Sequence, residues 1–195
     1  MRLFAAVVPP EEVVEDLAEF LRPRMEAGEE LRWTDDYQWH VTLAFLPDVL
    51  DRNYDELVER LARVAHRHTP MSLALSGAGA FPSPMFARVL FTGVTDTTDA
   101  LRPLARSIRG ACGKAGAAPK GGPFHPHVTL GRFRKPTEAT RWLRILDAYA
   151  GPPWLADELA LVESHLGQGR GHRPRYEVRE TFALGRASRE SGAVG

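Results

Sequence analysis

The sequence predicts an α+β fold of two pseudo-symmetric lobes, each an antiparallel sheet with helices packed outside, with a cleft between them. Three observations predict it. Apolar spacing along the 195 residues switches repeatedly between the two-residue period of a strand and the 3.6-residue period of a helix. The four residues His40-Val41-Thr42-Leu43 recur as His127-Val128-Thr129-Leu130. The recurrence also extends beyond these motifs: His40 to His127, Leu73 to Ala160 and Val89 to Tyr176 are each 87 residues apart, and Leu3 to Val89 is 86. A near-constant offset implies an internal duplication of strand, helix, signature strand, helix and strand. Residues 1–185 then form one bilobal domain, and 186–195, small and polar, a flexible tail. A parallel doubly wound sheet also alternates strands with helices, but no glycine-rich phosphate loop follows any strand here.

The elements follow in order. Residues 3–8 read as a buried strand; Pro9 and Pro10 end it and open a helix on which Val13, Val14, Leu17, Phe20 and Leu21 share a face. After a polar turn around Gly28, strands are expected at 31–33 and 39–46, the second closed by Pro47. Asp51 is a candidate cap for a second helix striped by Tyr54, Leu57, Val58, Leu61, Val64 and Ala65. Met71, Leu73 and Leu75 alternate as in a strand, residues 77–84 read as a Gly/Pro-rich connection, and 86–94 as another strand. Leu101, Leu104, Ala105, Ile108, Ala111 and Cys112 mark a third helix, followed by a flexible stretch at 113–123. The second signature strand comes next. Pro136 and Thr137 are read as starting a fourth helix with Trp142, Leu143, Leu146 and Tyr149 on one face. The last two strands, 158–166 and 176–184, flank a Gly/Arg-rich turn.

Composition narrows the function. Lys plus Arg and Asp plus Glu are both 25, so no net charge draws the protein to a polyanion, and any nucleic acid is bound at a local site. The single cysteine, Cys112, excludes an internal disulfide and a thiolate metal site, and fits a reducing, cytoplasmic setting. No apolar run approaches the roughly 18 residues of a membrane span, and the apolar start runs into Pro9-Pro10-Glu11-Glu12 rather than a small-residue cleavage site. With neither a heptad nor a long exposed apolar segment, a monomer is expected.

The chemistry lies in the repeated motif. Residues two apart on a strand share a face, so each copy sets an imidazole beside a hydroxyl while Val and Leu face a core. His40 and His127 form a proton-transfer pair, since a histidine titrates near neutrality and one can accept a proton while the other donates. Thr42 and Thr129 share their face and can hold phosphate oxygens. Phe45 and Arg132 stand at equivalent positions, five residues after the histidines: an aromatic can stack on a base and a guanidinium can neutralise a phosphate. Odd spacing puts both on the wrong strand face unless a bulge or the strand end turns them. His125 shares the face of His127, but no carboxylate completes a metal set beside them. His66 and His68 read as solvated. His165 and His172 flank the turn carrying Arg170, Arg173 and Arg175, a basic stretch that can touch an RNA backbone or simply be a solvated turn. No Ser-His-Asp order, P-loop or Cys/His metal spacing supports a rival chemistry.

These residues resemble the two-histidine phosphoesterase superfamily, and in particular the RNA 2′,3′-cyclic phosphodiesterases, also called 2′-5′ RNA ligase-like proteins. The resemblance rests on the two signatures with Ala44-Phe45-Leu46 and Gly131-Arg132, on Arg2 to Val7, Arg32-Trp33, Leu161 to Leu166 and Tyr176 to Leu184. Pro47 departs from the glycine common at that turn. The resemblance implies a bilobal two-histidine phosphoesterase fold and metal-independent hydrolysis of a terminal 2′,3′-cyclic phosphate to a 2′-phosphate, with no cofactor. It casts His127 as general base, His40 as general acid, Thr42, Thr129 and Arg132 as phosphate-holding, and Phe45 as base-stacking; His125, Tyr176 and Arg175 are candidate RNA contacts. The implied partners are RNA ends bearing the cyclic phosphate, on tRNA fragments, short oligonucleotides or a small cyclic nucleotide. The reverse reaction, 2′-5′ ligation, uses the same residues, and a non-catalytic RNA-end or nucleotide binder is a third reading.

Overall fold

The computed structural model describes residues 1–26 and 31–185. In chain order these form β1 (Leu3–Val7), α1 (Glu11–Met25), β2 (Leu31–Trp33), β3 (Val41–Leu46), α2 (Tyr54–Arg67), β4 (Met71–Phe81), β5 (Ala87–Asp96), α3 (Leu101–Lys114), β6 (His127–Thr137), α4 (Thr140–Leu146), β7 (Trp154–Ala156), β8 (Glu158–His165) and β9 (Arg175–Ala183). The turn expected at Gly28 and the tail at 186–195 lie outside the described residues.

Among the described residues the strands make one nine-stranded antiparallel sheet in the order β7-β4-β5-β6-β3-β1-β8-β9, with β2 paired to β6 off that path. Leaving β2 aside, its two halves of four strands meet where β3 and β6 touch, through the single antiparallel partner pair Val41 and Val128. The half β7-β4-β5-β6 comes from the middle of the chain, whereas the half β3-β1-β8-β9 joins its two ends, because β8 pairs with β1. β1 is buried at all five positions, as a central strand covered on both faces must be. Leu3, Ala5 and Val7 join the main core, where the stripes of the helices also pack: Val13, Leu17 and Leu21 from α1, Leu57, Leu61 and Ala65 from α2, Leu104, Ile108 and Cys112 from α3. Phe4 and Ala6 point the other way and form a small cluster with Ala160 and Val162. That second face carries the cleft.

Four local expectations change. The 77–84 connection is mostly strand: β4 continues to Phe81, bending at a bulge where Gly77 takes φ +69° and the register slips between Ser76 and Ala78. Asp51 opens a separate turn of 3-10 helix, and the cap position of α2 falls to Asn53, whose amide donates instead to the Gly116 carbonyl at 3.2 Å. β6 runs through Pro136 to Thr137, leaving α4 only seven residues; Trp142 and Leu146 are buried from it and Tyr149 lies beyond it. His68 is not free in solvent, since its Nε2 lies 3.0 Å from Ser107 Oγ. The short strand β7 is an addition that no sequence pattern announces.

Candidate active site

The two signature strands meet at the middle of the sheet. With Val41 opposite Val128, continuing the antiparallel register by one residue each way sets His40 across from Thr129 and Thr42 across from His127. Each strand then carries a bulge at the same place in its motif. Along β3, Ala6 pairs with Thr42 and Ala5 with Ala44, so Leu43 is the extra residue. Along β6, Phe91 pairs with Thr129 and Leu90 with Gly131, so Leu130 is the extra residue. A bulge reverses strand parity. It returns Phe45 to the face of Thr42 and Arg132 to the face of Thr129, so that all four, with both histidines, line one cleft of about 590 Å³.

The histidines are held alike. The Nδ1 of His40 lies 2.6 Å from the Gln38 carbonyl, and that of His127 lies 2.6 Å from the His125 carbonyl. A carbonyl only accepts, so each Nδ1 carries the proton and each neutral Nε2 keeps its lone pair. Each ring also sits against two aromatic rings. His40 stacks on Phe4 at 4.5 Å and meets Tyr176 edge-on at 5.5 Å; His127 meets Phe81 at 5.0 Å and Phe91 at 5.1 Å. This packing lowers both pKa values below the ordinary 6.5. For His40 burial is the main cause and the nearby His127 adds to it; for His127 burial again leads, with the charges of His125 and Arg132 adding, and in each the backbone bond opposes. Both imidazoles are therefore predominantly neutral at pH 7 in the free protein.

The cleft is cationic although the chain as a whole is neutral. Arg2, Arg32, Lys120, Arg132 and Arg173 line it, and among the described residues no Asp or Glu does. A family model described as the 2′-5′ RNA ligase superfamily matches residues 4–168, which contain both His-x-Thr motifs. The chain belongs to that superfamily. It is 31% identical over 185 residues to the Escherichia coli RNA 2′,3′-cyclic phosphodiesterase, covering 94% of this chain and 96% of that one. It is 28% identical to the Aquifex aeolicus protein of the same name, over 88% of this chain and 92% of the relative. Among solved structures, TT0787 of Thermus thermophilus superposes with a TM-score of 0.77 at 28% identity, covering 96% of this chain and all of that one. Escherichia coli LigT in complex with 3′-AMP gives a TM-score of 0.74 at 28% identity over 94% of this chain and 97% of LigT.

Within this superfamily member the expected residues divide. His40, Thr42, Phe45, His127, Thr129, Arg132 and Tyr176 line the cleft. His125 and Arg175 do not: His125 is exposed, contributing its carbonyl to His127, and Arg175 is exposed and paired with Glu177 at 3.1 Å. Lys120 escapes sequence reasoning, and the sequence reads His172 and Arg173 only as part of a basic turn. Lys120 is brought in by the 113–123 stretch, which is pinned rather than loose: its amide donates to the Phe45 carbonyl at 2.8 Å, and Arg109 donates to the carbonyls of Lys120 and Gly122. His172 and Arg173 enter from the turn before β9. That turn is docked by the Arg173–Asp35 ion pair at 2.5 Å, and Gln38 and Arg32 donate to the carbonyls of Pro174 and Gly171. Only the density of basic residues there signals a site. Among the described residues no group of three or more His, Cys, Asp or Glu side chains is disposed to hold a metal.

Proposed function

We propose that this protein hydrolyses a terminal 2′,3′-cyclic phosphate on RNA to a 2′-phosphate by metal-independent acid–base catalysis. Water attacks phosphorus as His127 Nε2 takes its proton, the bond from phosphorus to the 3′ oxygen breaks, and His40 Nε2 protonates that oxygen. The observation that carries this reading is the matched pair of histidines, each with Nδ1 committed to a carbonyl and Nε2 left for the cleft. His40 must be protonated to act, and the negative charge of the cyclic phosphate favours that when substrate binds beside it. Thr42, Thr129 and Arg132 hold the non-bridging oxygens as charge develops. One face of Phe45 is taken by the Arg2 guanidinium, 4.4 Å from the ring centre, and the terminal base stacks on the other. The names of the Escherichia coli and Aquifex aeolicus relatives support the same substrate. The strand order supports the reading of the chain as a duplicated unit in part: β3 and β6, β1 and β5, and β8 and β4 stand at equal distances from the β3–β6 junction, whereas β5 and β9, which the offset also relates, do not.

The test is a short RNA with a 2′,3′-cyclic end, incubated with excess chelator and resolved for 2′- and 3′-phosphate. The 2′-phosphate accumulates, and His40→Ala and His127→Ala each lower kcat by about 10²- to 10⁴-fold. Activity that the chelator removes, or that survives loss of either histidine, overturns the mechanism. The superfamily's name favours also assaying the reverse: a 5′-hydroxyl acceptor is added and the 2′-5′-joined product is measured against the hydrolysed one.

A further inference from the structure

Beyond the cleft, the same face holds a second depression of about 950 Å³, lined by Arg32, Asp35, Arg132, Phe133, Arg134, Gly171 and Arg173. Arg32, Arg132 and Arg173 line both, so the two adjoin. Arg134 belongs to the second alone. Its charge has an unusual setting. β2 and β6 place Arg32 directly opposite Arg132, and like charges in that position destabilise a strand pair. Arg134 then follows on the same face of β6, about 6.7 Å further along by the rise of a strand. The single carboxylate lining this depression, Asp35, is already bound to Arg173. No acidic side chain is paired with Arg132 or Arg134 among the described residues. Three guanidiniums crowded together without counter-charge make a poor structural choice and a good anion track.

The spacing fits a polynucleotide. With Arg132 at the reacting phosphate, Arg134 stands one strand repeat away, within the reach of a single nucleotide step. We propose that Arg134, backed by Arg32, binds the phosphodiester immediately 5′ of the reacting end, so that the protein discriminates an RNA strand from a cyclic mononucleotide. This rests on the RNA-end reading above. It adds that the substrate is a chain of at least two nucleotides, read through the charge of its backbone rather than its sequence.

The test uses two dinucleotides ending in a 2′,3′-cyclic phosphate, one with an ordinary internal phosphodiester and one with a neutral methylphosphonate in its place. Wild-type protein should show kcat/KM roughly 3- to 10-fold higher for the charged dinucleotide, the range of an exposed charge-assisted contact. In Arg134→Ala the two should converge, and the slope of log(kcat/KM) against log salt for the charged one should become shallower by about 0.7. Arg134 is exposed, so the variant is not at risk of misfolding. The same two dinucleotides carrying a 2′-phosphate end are titrated calorimetrically in parallel. Hydrolysis of both cyclic dinucleotides at equal kcat/KM would overturn the subsite and leave the enzymatic reading standing. Charge-selective binding without hydrolysis would do the reverse. A charge preference that persists in Arg134→Ala would assign the contact elsewhere and overturn the proposal.

Discussion

Gly79 offers the sharpest test of how the sheet holds His127. It lies directly across the β4–β5 ladder from Phe91, whose ring folds over it; a Cβ built at Gly79 would meet Phe91 Cζ at 2.1 Å and the two Cε atoms at 2.5 and 2.9 Å. Carbon atoms rest at about 3.5–4.0 Å, so Gly79→Ala forces the ring to retreat by roughly 1.5 Å. The ring is hemmed in, stacked on Phe81 at 4.5 Å and against His127 at 5.1 Å. Overpacking of this kind costs about 1–3 kcal/mol, which for a chain of this length lowers Tm by about 3 to 10 °C. Displacing the imidazole that Phe91 supports by about 1 Å lowers kcat on the order of 10²-fold. Calorimetry and single-turnover hydrolysis read the two effects separately. The decisive comparison is the double variant Gly79→Ala, Phe91→Leu: the shorter side chain removes the clashing atoms, so the combined Tm loss should fall well short of the summed single losses. Additive losses would refute the argument, as would a Gly79→Ala protein matching wild type in both Tm and kcat.

The two histidines also fix a pH dependence. With His127 as base the rate falls as pH drops through its lowered pKa, and with His40 as acid it falls as pH rises through its own lowered pKa. A kcat/KM profile should therefore be a bell centred below the ordinary histidine value of 6.5, and an optimum above that value would contradict the assignment. The same two shifts govern stability. Below pH 6.5 the unfolded chain takes up protons that the folded histidines resist, so Tm should hold above that pH and decline beneath it, less steeply in His127→Gln. Cys112 is fully buried with its thiol pushed up to about 12, so a thiol reagent should titrate no cysteine in the folded protein and one after denaturation. Arg109→Ala removes two of the three bonds that seat the Lys120 loop, leaving the Lys120 amide on Phe45; KM for the RNA should rise roughly 3- to 10-fold with kcat little changed, and an unaltered KM would dissociate those two bonds from binding.

The helices are legible in the sequence because their signal is local. A stripe such as Leu57, Leu61 and Ala65 is decided within one turn, and all three are buried as the spacing implies. What escapes depends on partners remote in sequence. Nothing near Lys120 announces that its amide is fastened to Phe45, 75 residues earlier, and nothing near Arg173 announces Asp35. The fourth helix starts later than expected because Pro136, which suits a helix start, is instead spanned by β6 as it runs on to pair Thr137 with Ala87. Gly79 reads as part of a turn because a glycine's purpose in a strand is visible only from the residue opposite it.

The central site lies between these cases, and its parity problem is soluble from the letters alone. Counting two by two from His40 sends Phe45 to the wrong face, and the same count from His127 misplaces Arg132. A strand with one solvated face should not present two small or apolar residues in succession within its alternation. Leu43-Ala44 and Leu130-Gly131 do so at equivalent places, and all four are buried. An extra residue absorbed by a bulge resolves both breaks at once, and that is where the registers slip. The bulge is thus what brings Phe45 and Arg132 into the same cleft as the two histidines. Without it, Phe45 and Arg132 would point into the helix-covered core, where a guanidinium has no partner and would be costly to bury.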